Sequence, residues 1–441
     1  MRRYSETFDQ DTLTKMREHD PVVVFYRTFF DLIDWSPFTS CSSEAPKRGR
    51  PSHPEIAYIK ALLVKIVEGK QHITDLRTFL IRHPLLVLEL GFIPVPEPKE
   101  IYGFDIQETV PSDSWLRTKQ RNLDHALLQE IFYGTVHALQ KEIPALGETV
   151  AFDVKHIYAW VKENNPREHI KDRFCKDHQP TGDPDCKVGV KSSTNQEQPD
   201  GSKKVKKEYL WGYGSGVVSA ITADYGDVVL AEYTQPFNEG DVTYYRSLYQ
   251  ETVNTLHQFP INITADAAFD AWYIYHSCAL QGGIAAIPLN QHGHPTFPRD
   301  TDGVPFCPKN MRMVPTKQFN HTNGYRAQRY QCPLLFPHAT EQTCDHEQFV
   351  KGKGCVKDIN IEKGGIMRVT LDRTHPIYKA IYSQRTSVER INSQAKALGI
   401  ERPHVRRMRA VCNLNTLTYI IINVRALQRA RSINRRILPI N

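Results

Sequence analysis

No two cysteines in this chain stand only two residues apart, although nine are spread over 441 residues. The wide gaps exclude the compact zinc-finger and thioredoxin-like spacings, and the odd count excludes a fully paired disulfide framework. Long apolar runs are missing too. The best stretch, TLTYIIINV at 416–424, is bounded by Arg409 and Arg425 and is too short to span a bilayer. The opening MRRYSETFDQD carries no apolar segment, so no secretory signal is expected. Free thiols in a reducing cytoplasm and no membrane partner follow as expectations. No internal repeat is visible.

The net charge is +7, and its placement matters more than its size. Residues 380–441 hold twelve Arg and Lys against two Glu, a net +10, which leaves −3 for the rest of the chain. A basic block on a near-neutral body points to a polyanion, most simply double-stranded DNA. A solubilising surface is the competing account. Shorter basic runs lie at KRGR (47–50), KKVKK (203–207) and RPHVRRMR (402–409). In KRGRPS, Lys47, Arg48 and Arg50 flank an extended core and suit a minor-groove arm; a basic linker explains them equally well.

Along the chain, residues 1–145 read as helical, with segments at 53–69, on either side of Pro84, and at 112–143. Such a region can place a helix in a major groove, so it is the expected N-terminal DNA-binding region. The texture changes at 146. ETVAFDVKHIYAW reads as a strand, 161–208 as loop, and 211–235 as two strands around a turn at 224–227. A helix at 240–259 with Asp241 at its cap, a strand at 261–269, a helix closed by glycine and a strand at 284–290 follow. Residues 291–378 form a turn-rich, cysteine-containing insertion, and residues 379–441 supply two final helices, 378–398 and about 405–432. The fold class is therefore α/β: a mixed sheet with flanking helices, spanning 146–290 and 379–441, preceded by helices and interrupted by an irregular or β insertion. Cys307, Cys332, Cys344 and Cys355 cluster in that insertion near His346. They are either a structural zinc site or buried thiols.

Three carboxylates fall at telling places. Asp153 sits mid-strand, where aspartate is unusual; Asp266 ends a strand; Glu389 lies on the helix after the insertion. Brought together, they would repel unless two Mg²⁺ or Mn²⁺ ions bound them. Two such ions about 4 Å apart clamp the attacking and leaving oxygens of a phosphodiester. Each residue also has a plain structural account. Asp153 could be a satisfied strand residue. Asp266 could cap the next helix, with Asp270 competing for its role. Glu389 could form a surface i,i+4 pair.

The stretch YSQRTSVERINSQAK (382–396) places Tyr382, Arg385, Glu389 and Lys396 on one face of a helix, opposite Val388, Ile391, Ala395 and Leu398. Arg385, with Arg390 beside the motif, suits bidentate phosphate contact, and Lys396 suits a point charge on the same strand. The pattern Y-x2-R-x3-E-x6-K resembles the signature of DDE-type bacterial insertion-sequence transposases, in the large family numbered four. AFDVKHI, GDPDCK, ITADAAFD and RTSVERIN also resemble that family. The resemblance implies a ribonuclease-H-like core in which Asp153, Asp266 and Glu389 are catalytic and hold two Mg²⁺ ions. It implies a nucleoid-associated bacterial protein that binds terminal inverted repeats as a homodimer, nicks the element's ends and joins them to target DNA. It further implies a tryptophan, within the insertion between the second Asp and the Glu, that stacks on a flipped base, yet the insertion 291–378 contains none. Phe297, Phe306, Phe319, Tyr325, Tyr330, Phe336 or Phe349 could substitute. Two rivals are a ribonuclease-H-like nuclease or resolvase without strand joining, and an inactive DNA-binding protein with a structural cysteine cluster.

Overall fold

A computed structural model describes residues 7–39, 52–197, 203–222, 224–290 and 297–437, the side chains of 39, 192–197, 203–206 and 437 excepted. Lys47, Arg48 and Arg50 lie outside the described residues. The chain divides into two compact bodies. The first comprises Met1–Gln258 with Thr386–Asn441, and the second Phe259–Arg385. The composition-based boundaries fell instead after residues 145, 290 and 378.

The first body begins with α1 (Gln10–His19), α2 (Pro21–Phe30), α3 (Glu55–Val67), α4 (Ile73–Arg82), α5 (Pro84–Leu90), α6 (Asp113–Asn122) and α7 (His125–Glu142). Their starts are chemically marked. Asp20 accepts from the amides of Val22 and Val23, both at 2.9 Å, and Ser112 accepts from that of Trp115 at 3.3 Å. The single helix expected over 112–143 is two helices, because Asp124 caps a new one by accepting from Ala126 N at 2.9 Å.

Four antiparallel strands follow: β1 (Thr149–Tyr158), β2 (Lys187–Glu197), β3 (Lys203–Ala220) and β4 (Val228–Pro236). β3 pairs with each of the other three. The loop expected over 161–208 is thus largely overturned from 187 onward. The β2–β3 hairpin is polar, and its ladder needs backbone hydrogen bonds rather than apolar side chains. Glycines 212, 214 and 216 alternate along β3; a Cβ on Gly214 would stand 2.0 Å from Tyr244 Oη. Gly214 and Gly216 let the Tyr244 ring lie against the sheet, while Gly212 makes room for the Ile157 carbonyl. The helix expected at 240–259 opens as a 3-10 turn, Asp241–Tyr244, with Gly240 rather than Asp241 at the cap, before α8 (Tyr245–Leu256).

The second body carries β5 (Asn262–Thr264), α9 (Trp272–Leu280) and β6 (Ala285–Ala286), with β5 and β6 parallel. The expected strands at 261–269 and 284–290 are therefore shorter. Its insertion is more regular than expected: β7 (Val314–Asn320), β8 (Arg326–Gln331) and β9 (Val356–Asn360) form an antiparallel sheet, followed by α10 (Lys363–Thr370) and α11 (Pro376–Ser383).

The chain returns to the first body with α12 (Thr386–Ala397) and α13 (Met408–Ile437). The expected helix over 378–398 is broken. The amides of Gln384 and Arg385 bond the carbonyls of Ile381 and Tyr382, at 3.1 and 3.0 Å, tightening the turn before α12 restarts. The architecture is mixed α/β, with helices flanking strands in both pairing senses.

Among the described residues Met408–Arg436 is the one helix long and apolar enough to cross a membrane, against the expectation that no such stretch existed. Most of its apolar window is buried in the body, so it acts as a core helix packed on α3, α6, α7 and β4. A polar seam runs along it. Asn423 bonds both backbone groups of Val229, and Asn415 bonds Thr234 Oγ1 at 2.8 Å. Glu232 accepts from Thr416 at 2.7 Å and from Gln129, while its Oε2 has no partner. Burial raises the Glu232 pKa from its ordinary 4.5, more than Thr416, His125 and Gln129 lower it. A raised folded-state value favours folding below 4.5, and that contribution is lost as pH rises through the folded value. Glu232→Gln should therefore flatten the fall of melting temperature with rising pH. Calorimetry across the acid-to-neutral range checks this, and parallel curves for the two proteins would refute it.

Candidate functional site

Side chains alternate along β1, so Asp153 and Lys155 share a face, and that strand packs against α12. Two anchors fix α12. Ser387 Oγ lies 2.7 Å from Ser219 Oγ, both buried, and Arg390 forks onto Asp227 with two bonds of 2.7 Å. Arg390, expected on DNA, forms this bracket, and the Asp227 bond raises its pKa. Val388, Ile391 and Ala395 are buried on the inner side, as the helical spacing required.

The outer face of α12 and β1 enclose a cleft of about 370 Å³, lined by Asp153, Lys155, Glu389, Asn392, Lys396 and Glu401 among others. Asn392 Nδ2 donates to Asp153 Oδ2 at 2.8 Å, while the buried Asn392 Oδ1 has no partner. Glu401 sits between two cations: Lys155 at 3.0 Å and Lys396 at 3.3 Å. Glu389 lies in the first turn of α12 and Lys396 in its last, the placement the helix dipole favours. His156 also lines the cleft; burial, then Lys191 and Lys155, hold its pKa down at about 4, so it is neutral near pH 7.

The structure therefore brings together Asp153, Glu389 and Lys396. Tyr382 and Arg385 belong to the second body, and the helix break takes them off the continuous face that the spacing implied. There Tyr382 stacks on Tyr378, with ring centroids 5.9 Å apart, and the Arg385 guanidinium lies 5.9 Å from the Tyr382 ring. Asp266 is also in the second body, just past β5, and its Oδ1 accepts from Ala268 N at 2.9 Å. Its rival Asp270 is fully engaged, by Arg368 at 2.8 and 2.6 Å, Tyr275 Oη at 2.9 Å and Asn290 N at 2.8 Å. Among the described residues, no group of three or more His, Cys, Asp or Glu is spaced to hold a metal ion.

A second cavity, of about 800 Å³, lies within the second body. Trp272, Phe297 and Tyr325 line it with Arg299, Lys357 and Arg368. Lys357 Nζ stands 3.8 Å from the Phe297 ring centroid, and the Trp272 and Tyr325 centroids are 5.6 Å apart. Phe297 and Tyr325 were among the aromatics singled out from sequence; Trp272 was not, because it precedes the insertion. Asn392, Lys155 and Glu401 were missed as well. Asn392 stands three residues after Glu389 and Lys155 two after Asp153, so helix and strand periodicity carried the signal for both.

No protein-family model matches this chain, and no curated protein does. Among solved structures, it is similar to the cryo-EM structure of the piggyBac transposase synaptic complex with hairpin DNA. Identity is 11%, the match covers 96% of this chain and 81% of that one, and the TM-score is 0.33.

Proposed function

We propose that this chain is a DDE-type transposase with a ribonuclease-H-like core. It binds the terminal inverted repeats of an insertion sequence as a homodimer, cleaves their ends and joins them to target DNA. The observation that carries the reading is the first-body cleft, where Asp153 and Glu389, far apart in sequence, line one wall system with Lys155 and Lys396. Asp266 is the proposed third carboxylate, by the family resemblance and its place just past β5.

The donor set fits a hard divalent cation: carboxylate oxygens, and a buried amide oxygen on Asn392 left without a partner. Asp153, Asp266 and Glu389 would hold two Mg²⁺ or Mn²⁺ ions, which when bound polarise a phosphodiester and acidify a coordinated water. Asn392 orients Asp153 by donating to one of its carboxylate oxygens. Lys155 and Lys396, tethered to Glu401, are placed to exchange that carboxylate for DNA phosphates. Tyr382 and Arg385 add backbone contacts in this reading. The cavity with Trp272, Phe297 and Tyr325 supplies flat faces and cations for an unstacked base.

Purified protein incubated with DNA carrying the ends of its own element is expected to nick at the element boundary only with Mg²⁺ or Mn²⁺, and to yield joined products with target DNA. Cleavage without joining would point to a nuclease. Binding without cleavage in either metal would overturn the enzyme reading.

A further inference from the structure

The three-stranded sheet of the second body has little to hold it together. Along β7, β8 and β9 only Ala327 and Ile359 are buried. A sheet so poor in core needs another source of stability.

Four thiols gather beside it. Cys307 and Cys355 form a buried cluster with Met313, against which Met311 and Tyr330 pack. Cys332 is buried as well, and its Cβ would stand 2.7 Å from a Cβ added to Gly354, the residue before Cys355. Gly354 has φ +66°, so both its conformation and its space require glycine. Cys344 is half-buried; its Sγ accepts from the amide of His346 at 3.5 Å, and the His346 Nδ1 lies 3.5 Å from Cys355 Sγ.

The backbone around the thiols is turned for the same end. Cys307 and Cys332 each precede a proline and open a tight turn. Asn310 N donates to Cys307 O at 2.8 Å, and Leu335 N and Phe336 N donate to Cys332 O at 3.1 and 3.0 Å.

We propose that Cys307, Cys332, Cys344 and Cys355 bind one structural zinc ion that cross-links the turns of this sheet. The four sulfurs do not already stand at metal spacing, so binding draws them together. Each thiol gives up its proton and its sulfur donates an electron pair to Zn²⁺; four protons are released and no redox step is involved. Soft thiolates select zinc over the hard cations suited to the carboxylates. His346 is a positioning residue, since its amide already serves Cys344 and its Nδ1 also accepts from Gln348 N at 3.3 Å.

The test uses the full chain, purified without chelator, and measures zinc by elemental analysis. One zinc per chain is expected, released by an organomercurial thiol reagent only as four thiols react. Cys332→Ser and Cys344→Ser should lose it, and His346→Ala should keep it. Should the cysteine variants fail to fold, reconstitution of the wild-type chain with Co²⁺ reads the shell directly, through thiolate-to-cobalt charge transfer and the intense visible bands of a tetrahedral site. Substoichiometric zinc with no such bands would overturn the proposal. So would a thiol titration of the unfolded, unreduced chain showing that these cysteines are paired as disulfides.

Discussion

Glu389→Gln is expected to cut metal-dependent strand cleavage by ~10²–10³-fold, while DNA binding survives. That is the scale on which removal of one electrostatic stabiliser of a transition state acts. The argument turns on magnitudes. If Glu389 served only the positive end of α12, its charge would be worth roughly 0.3–1 kcal/mol of stability. Glutamine would then leave cleavage unchanged. As a metal ligand it supplies charge that glutamine cannot, although the two side chains share a shape. Asp153→Asn should behave alike, because asparagine can still accept the 2.8 Å bond from Asn392. A gel assay of nicking, paired with a binding titration, separates the accounts. Full cleavage by either variant would remove the carboxylates from the mechanism.

Asp270→Ala should cost the second body about 3–5 kcal/mol, the penalty for leaving a buried partner unpaired. The Asp270 side chain is 0% exposed, and Arg368, which forks onto it, is 23% exposed. Removing the carboxylate also takes away the acceptor of Asn290 N and one partner of Tyr275 Oη, which keeps Ile287 O and Arg373. Asp266→Ala removes only a cap on a short 3-10 turn, worth ~1 kcal/mol. Denaturant unfolding of the two variants should therefore differ severalfold in destabilisation, and catalytic assays should rank them in the opposite order. Equal stability losses would mean that Asp270 is not the structural member of the pair.

Local chemistry was legible in the sequence wherever one residue dominates its surroundings. Pro84 splits two helices, Gly69 and Gly282 follow helices with positive φ, and the odd aspartate in AFDVKHI lies mid-strand in β1. The buried side of α12 followed from its spacing. Features that depend on backbone closure were not legible. The break at Gln384 and Arg385 uses residues that favour helices, and the bonds that make it belong to the main chain. The β2–β3 hairpin was hidden by its polarity, and the β7–β9 sheet by its scarcity of buried positions. The Asp153–Glu389 cleft was half visible. The carboxylates stood out by type, and periodicity put Asn392 and Lys155 beside them, but Glu401 matters through Lys155, 246 residues away, which no local pattern encodes.

Because α13 packs on α3, α6, α7 and β4, the first body joins the segments that precede and follow the second in sequence. The second body is one uninterrupted segment, Phe259–Arg385. During synthesis that segment can complete its own contacts while the helices and strands before it still wait for theirs. Glu389 emerges only after it, and the helix that seals the core emerges later still. A ribosome-bound or prematurely ended chain would hold Asp153 without its partner wall. The order of translation thus delays the assembly of this cleft until the whole second body has been made.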